Sequence, residues 1–251
     1  MKKVVIVSSL DPAGMNIKEN LESLGYKDTI VMDRPSVNCE NIDQEIDADL
    51  FIFATKHQSK AEIPSLSIHS PGNWGTANPE YGGKSKQLCI NPALYIREGF
   101  LKLRELNTIN YDVVIEVTHH GPYLEKPILF IEIGSTSKQW SNKEAGLIIA
   151  KTILHLLETE PKKYPVVFGI GGLHTSPILT HCVDKGYALG HICPKYMLNV
   201  LDKDMIQQAI ERSIPRPESV LLDWKGLGKE KQKVLNLLKE MDLEILRSDK
   251  I

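Results

Sequence analysis

Several chemistries are missing from this chain, and each absence narrows the reading. The 251 residues include four cysteines, Cys39, Cys89, Cys182 and Cys193, and no two of them form a C-x-x-C pair. That removes zinc ribbons and thioredoxin-type redox sites. No apolar run approaches membrane length. The first, Val4 to Val7, suits a strand and is too short for a signal-peptide core. The formal net charge of -2 argues against a broadly basic coat for nucleic acid and leaves only local basic patches open. There is no G-x-S-x-G elbow, P-loop, kinase signature or H-E-x-x-H pair, and no cysteine stands as an obvious nucleophile. Gly169-Ile170-Gly171-Gly172-Leu173-His174 follows a strand, but His174 takes the place of a third glycine and no acid lies about 20 residues further on, so a dinucleotide site is not expected. Internal repeats and low-complexity tracts are also missing. These absences point to a soluble protein of a reducing, cytoplasmic compartment, with no membrane partner. If it is an enzyme, an activated water does the attacking.

What is present reads as a globular α/β chain. Composition is ordinary, with 42% hydrophobic and 25% charged residues. Strand patterns at Lys3–Ser9, Thr29–Met32, Leu50–Ala54, Leu66–His69, Val113–Pro122, Pro127–Ile133, Tyr164–Ile170, Tyr187–Ile192, Ser219–Leu222 and Leu243–Leu246 alternate with helical ones. The helical patterns run over Met15–Leu24, from Pro92 to Asn107, and over Ser137–Glu160, Asp202–Arg212 and Lys229–Met241, with a short one at Thr175–Val183. Such alternation predicts a three-layer α/β/α sandwich around a mixed, mostly parallel sheet. One domain spans 1–251, decorated by loops near 33–47 and 70–84.

The most telling stretch is Val113-Val114-Ile115-Glu116-Val117-Thr118-His119-His120-Gly121-Pro122. It begins as a buried β-branched strand, carries a carboxylate that is costly to bury unpaired, and ends in two histidines. Strand alternation puts Glu116, Thr118 and His120 on one face and His119 on the other. Glu132, His174 and His191 lie in or near the ends of other strands, and His57 and His69 are further candidates. A parallel sheet aligns such ends along one edge, so these residues can converge. Histidine is the usual zinc ligand and the usual base near neutral pH. We therefore take His119, His120, Glu132, His174 and His191 as candidate metal ligands. His120, Glu116, His174 and Lys195 are the candidate catalytic groups, with Gly171 and Gly172 offering backbone N–H groups to an oxyanion. His155 and His181 lie in helical stretches and read as structural.

The loop Ser70 to Lys84 is long and glycine-rich, as functional loops often are. Asn73, Trp74 and Gly75 in it, with Lys84, are candidate substrate contacts. Basic residues also cluster at Lys84 and Lys86, Lys102 and Arg104, Lys162 and Lys163, and Lys225 to Lys233. Clusters sharing the site face would track phosphates, and Trp74, Tyr81 and Trp224 would stack bases. Trp224 and Lys225 join the substrate-contact set on that ground.

Taken together the motifs resemble the archaeal and plant-type D-aminoacyl-tRNA deacylases. The resemblance rests on Met15-Asn16-Ile17, Gly72-Asn73-Trp74-Gly75, Tyr81-Gly82-Gly83-Lys84, Glu116-x-Thr118-His119-His120-Gly121-Pro122, Phe130-Ile131-Glu132-Ile133-Gly134-Ser135, Gly169-Ile170-Gly171-Gly172-x-His174, Gly190-His191-Ile192-x-Pro194-Lys195-Tyr196 and Asp223-Trp224-Lys225-Gly226, which span nearly the whole chain. It implies a hydrolase that cleaves the ester between a D-amino acid and the terminal ribose of tRNA; we expect a monomer that serves translation quality control. The implied fold is similar to peptidyl-tRNA hydrolases and nucleoside phosphorylases, with two Zn2+ per chain. It leaves the zinc ligands open. Two departures stand out: few residues between Asp33 and Asp47, and Leu173 where another glycine is expected. The rival readings are a zinc-dependent peptidase or amidohydrolase on small substrates, and a non-catalytic tRNA-binding protein.

Overall fold

The computed structural model describes residues 1–241 and 243–251. Ten strands matter for the site: β1 Lys3–Ser8, β2 Thr29–Met32, β3 Leu50–Gln58, β4 Ser65–His69, β5 Asp112–Ile115, β6 Ile128–Ser135, β7 Val166–Ile170, β8 Ala188–Cys193, β9 Ser219–Leu222 and β10 Glu244–Arg247. The longer helices are α1 Pro12–Ser23, α2 Ala93–Leu106, α3 Lys143–Glu158, α4 Lys203–Glu211 and α5 Lys231–Leu238. Pairing is parallel between these strands except where β4 meets β6, so the layout is mixed and mostly parallel.

The sheet is divided, which the sequence did not announce. β2-β1-β3-β6-β4-β5 form one six-stranded sheet and β8-β7-β9-β10 a four-stranded one. Residues 116–118 join them. Glu116 bridges Thr175, the Val117 N–H donates to the His174 carbonyl at 3.0 Å, and the Thr118 N–H donates to the Ile192 carbonyl at 3.1 Å. The stretch expected to be one long strand therefore ends as a strand at Ile115 and continues as the seam between two sheets.

One core runs through both sheets. Val5, Val7, Ile52, Ile131 and Leu129 of the first share it with Val167, Leu189 and Leu221 of the second, under α1, α2 and α3. On the other side, α4 and α5 cover the second sheet with Ile206, Ile210, Val234 and Leu238. The first sheet is covered there by the 33–47 segment, whose two short 3-10 turns bury Ile42 and leave Cys39 at 0% exposure. The expected helix Ser137–Glu160 is broken at Ser141-Asn142. The Asn142 side chain accepts from the Glu144 and Ala145 N–H groups and starts α3 afresh.

Candidate active site

Five histidines and two glutamates meet where the ends of β3, β4 and β6 approach the seam. β3 runs past Ala54 and delivers Thr55 and His57. β4 ends on His69, and β6 carries Glu132 in register with Thr55 and Ser67. The seam supplies Glu116, and the segment after it supplies His119 and His120. His174 arrives from the turn after β7.

Strict strand alternation would have separated His119 from His120. Instead the chain leaves the sheet, and His120 adopts a left-handed conformation, φ +48°, unusual for a residue with a side chain. Both rings then lie against His69, with centroids 4.7 and 5.0 Å from it. Glu116 and His120, which strand alternation puts on one face, find different partners. Glu116 faces His174 (2.7 Å), His57 (3.1 Å) and His119 (3.6 Å), while the His120 Nε2 faces the His69 Nε2 at 3.1 Å.

The protonation pattern follows from the hydrogen bonds. The His119 Nδ1–H donates to the Val117 carbonyl at 2.8 Å, and the His120 Nδ1–H donates to the Gly121 carbonyl. Each ring is held as the tautomer whose Nε2 lone pair faces inward. Burial keeps them neutral: it pushes the His119 and His120 pKa values down, and it lowers His69 to about 4. His57 differs. Burial works against its charge, but the contacts with Glu116 and Glu132 raise it to about 10. Glu116 and Glu132 stay ionised. Burial pushes each up, and the close imidazoles, His174 and His57 for Glu116 and His57 for Glu132, hold them below the usual carboxylate range.

These groups fit a divalent cation. Ligand atoms of His69, His119 and His120 lie within 4.8 Å of one another, as do those of His57, Glu116 and His174 and those of His69, Glu116 and Glu132. Both Glu116 oxygens, the His69 Nδ1 and the His174 Nε2 are buried without a well-formed hydrogen bond, although His174 and His57 approach Glu116 to 2.7 and 3.1 Å. Carboxylates and imidazoles packed this closely, with polar atoms left unsatisfied, suit a metal. Glu132 is better satisfied, since its Oε1 accepts from the Thr55 hydroxyl at 2.7 Å.

A cavity of about 670 Å³ opens over this cluster, within the range of ligand pockets. His57, His119, His120, Glu132 and His174 line it, as do Asn73, Trp74 and Gly75. The 70–84 loop is laced around the histidine turn. The Gly72 N–H donates to the His120 carbonyl and the Gly121 N–H to the Tyr81 carbonyl, both at 2.8 Å. Asn73 donates its amide to the Gly82 carbonyl at 3.1 Å. Pro35, Ser36 and Val37 close another wall, so both loop decorations reach the site.

Other expected contacts fall elsewhere. His191 is fully buried beside the cluster, with neither ring nitrogen free. Its Nε2–H donates to the Cys89 carbonyl at 2.9 Å, and its Nδ1 accepts from the Thr118 hydroxyl at 3.0 Å. It holds the residue before His119-His120 rather than a metal. Trp74 is only 2% exposed and donates its indole N–H to the Thr118 carbonyl at 3.1 Å, so it offers no face to a base. The Gly171 N–H already donates to the Cys193 carbonyl and is not available to an oxyanion. Gly172 must lack a side chain, since a Cβ there would sit 2.2 Å from the Ser176 hydroxyl. Lys195 is exposed outside the cavity lining, next to Tyr196, which does line it. The Lys84 ammonium lies over the Tyr123 ring at 4.2 Å. Trp224 is half-buried and Lys225 exposed, both off the cavity. Leu173 points outward at 69% exposure, so its bulk does not narrow the turn.

His57 and His69 lie inside the cluster, although their sequence signal was weak. His57 followed a polar run that hid the continuation of β3, and His69 looked like an ordinary strand end. Thr55 and Ser67 carried no signal of their own; only the β3–β6–β4 register places them on Glu132.

Comparison with known proteins identifies the family. The family model described as D-aminoacyl-tRNA deacylase matches residues 44–246. A D-aminoacyl-tRNA deacylase of Thermococcus onnurineus is 36% identical, with 98% of this chain and 99% of that protein covered. One of Cenarchaeum symbiosum is 33% identical over 94% of this chain and 96% of its own length. A crystal structure described as a conserved protein of unknown function superposes with a TM-score of 0.90 at 28% identity, covering 100% of this chain and 96% of that one. With near-complete coverage of its relatives and a family model over most of its length, the chain belongs to the D-aminoacyl-tRNA deacylases, hydrolases of the aminoacyl-tRNA ester bond.

Proposed function

We propose that this chain hydrolyses the ester between a D-amino acid and the terminal ribose of tRNA by attack of a water held at the histidine–glutamate cluster. What supports this most is the convergence of seven ionisable side chains in one cluster, five of them lining the cavity, in a member of this family. Zinc is the metal that nitrogen-rich sets of this kind favour. Two ions are the number that the sequence resemblance implies. His69, His119 and His120 would hold one, and His57, Glu116 and His174 the other. Bound there, zinc would lower the pKa of a water and polarise the ester carbonyl.

The chain's own residues do the rest. Glu132 lines the cavity, is ionised, and is aimed by the Thr55 hydroxyl. It takes the proton of the attacking water while the water oxygen bonds to the ester carbon. When the carbon–oxygen bond to the ribose breaks, Glu132 returns that proton to the leaving oxygen. The Trp140 indole donates to the His57 carbonyl at 2.9 Å and fixes the end of β3. Trp74, Thr118 and His191 fix the histidine turn from below. Chirality is sensed by a cavity wall that an L side chain strikes, because rejection needs a clash.

The test is hydrolysis of matched D- and L-aminoacyl-tRNA, before and after a chelator, by wild type and by Glu132→Gln. The reading expects cleavage of the D form alone, lost on chelation and restored by zinc. It expects kcat about 10²- to 10⁴-fold lower in the variant at unchanged thermal stability. Equal cleavage of small peptides or amides would favour a zinc amidohydrolase. Binding of tRNA without turnover would favour a non-catalytic protein.

A further inference from the structure

The aminoacyl ester is one end of a long polyanion, and the cavity accounts only for that end. Sheet polarity decides which surface the rest can reach. Strands β7, β8 and β9 are parallel neighbours, so the turns after them lie along one edge. The turn after β7 contains His174, and the segment after β8 contains cavity-lining Tyr196 and Met197. The turn after β9 contains Trp224 and Lys225. Backbone hydrogen bonds lace this edge together. The Lys195 N–H donates to the Gly172 carbonyl at 2.9 Å, and the Asp223 N–H donates to the Ile170 carbonyl at 2.9 Å. A continuous ribbon thus leads from the catalytic cluster past Leu173 and Tyr196, 69% and 54% exposed, to the Trp224 turn.

The basic clusters separate by place and by partner. Lys86 is paired with Asp202 at 2.8 Å, and Lys84 is spent on Tyr123 and Asn41. Lys102 is paired with Glu105 and Arg104 with Asp184, both at 2.7 Å. Lys162 and Lys163 are exposed but precede β7, which puts them at the opposite edge of the sheet from His174. On the ribbon, Lys195, Lys225 and Lys229 are exposed and make no ion pair among the described residues. Behind them, Arg247 and Lys231 lie 3.9 and 4.5 Å from the Trp224 ring; Arg247 is paired with Asp249 at 2.8 Å, so Lys231 is the one that adds positive charge.

We propose that this ribbon, from Tyr196 through Lys195 to Lys225 and Lys229, is the track for the phosphodiester backbone of the tRNA acceptor strand. Its exposed Tyr196 and Leu173 pack against the bases nearest the ester. Unpaired lysines spaced along an edge suit phosphates, and an exposed aromatic beside the cavity suits a base face. The proposal rests on the deacylase reading for the identity of its RNA, but its test does not depend on turnover.

The test is direct binding of deacylated tRNA, followed by fluorescence anisotropy at several salt concentrations. Three proteins are compared: wild type, the double variant Lys225→Glu/Lys229→Glu, and Lys162→Glu/Lys163→Glu as a charge-matched change at the opposite edge. Thermal unfolding confirms that all three are folded. The expected result is a Kd at least 10-fold higher for the first double variant, with its log–log salt slope shallower by about 1–2. The second double variant should stay within about twofold of wild type. Equal weakening by both pairs, or no weakening by the first, overturns the track. Failure of the deacylase reading would show instead as a folded wild type that leaves D-aminoacyl-tRNA intact.

Discussion

At the scale of single residues, the site depends on where protons sit. His191 illustrates this. Its Nε2–H is given to a carbonyl and its Nδ1 receives a hydroxyl, so it is locked neutral, and burial lowers its pKa from 6.5 to about 4. A histidine whose pKa is depressed on folding contributes stability above the unfolded value, and that contribution is lost as pH falls from about 6.5 towards 4. The shift corresponds to about 3 kcal/mol. Replacement by Gln removes the titration. Urea unfolding should therefore show His191→Gln destabilised at pH 7, with the gap to wild type narrowing by about 3 kcal/mol at pH 4. A gap independent of pH would show that the ring does not titrate on unfolding as described.

At the scale of elements, the loops and the histidine turn work as one unit. A Cβ on Gly121 would lie 2.1 Å from the Gly83 nitrogen and 2.5 Å from the Gly82 carbonyl carbon. Neither is a side chain that can swing aside. Gly121→Ala should force the 81–83 segment off the turn, costing about 1–3 kcal/mol in urea unfolding. Deacylation should fall at least 10-fold, because His120 moves with the turn. Wild-type kinetics in this variant would mean that the loop does not set the histidines. Elements were legible where an apolar run met a clear break: Thr29–Met32 and Ser219–Leu222 are strands with the bounds read from sequence. The end of β5 was hidden, since Val117 continues the β pattern although it pairs across the seam instead. The break before α3 did carry a signal, an asparagine ahead of an apolar run, which is an ordinary N-cap.

At the scale of the whole molecule, two sheets are joined at a seam that places a buried carboxylate beside five histidines. Unsatisfied atoms there should make the metal-free protein weaker than the loaded one. Zinc at about 1,000 times its Kd stabilises by about 4 kcal/mol. For a chain of this length that raises the unfolding temperature by roughly 10 °C. Calorimetry of chelated protein with and without added zinc checks this, and His69→Ala should remove most of the shift. An unfolding temperature indifferent to zinc would rule out the cluster as a folded-state metal site.

The sequence by itself settled the α/β class and the family, and it singled out Glu116, His119, His120, Glu132 and His174 as candidates. Those conclusions need only local pattern and motif order along the chain. The tertiary structure decided which residues share one site. It drew in His57 and His69, turned His191 and Trp74 into supports, and gave Glu116 and His120 different partners. The physical reason is that convergence depends on strand register, on a left-handed turn at His120 and on a seam between two sheets, none of which is encoded by residues close together in the chain.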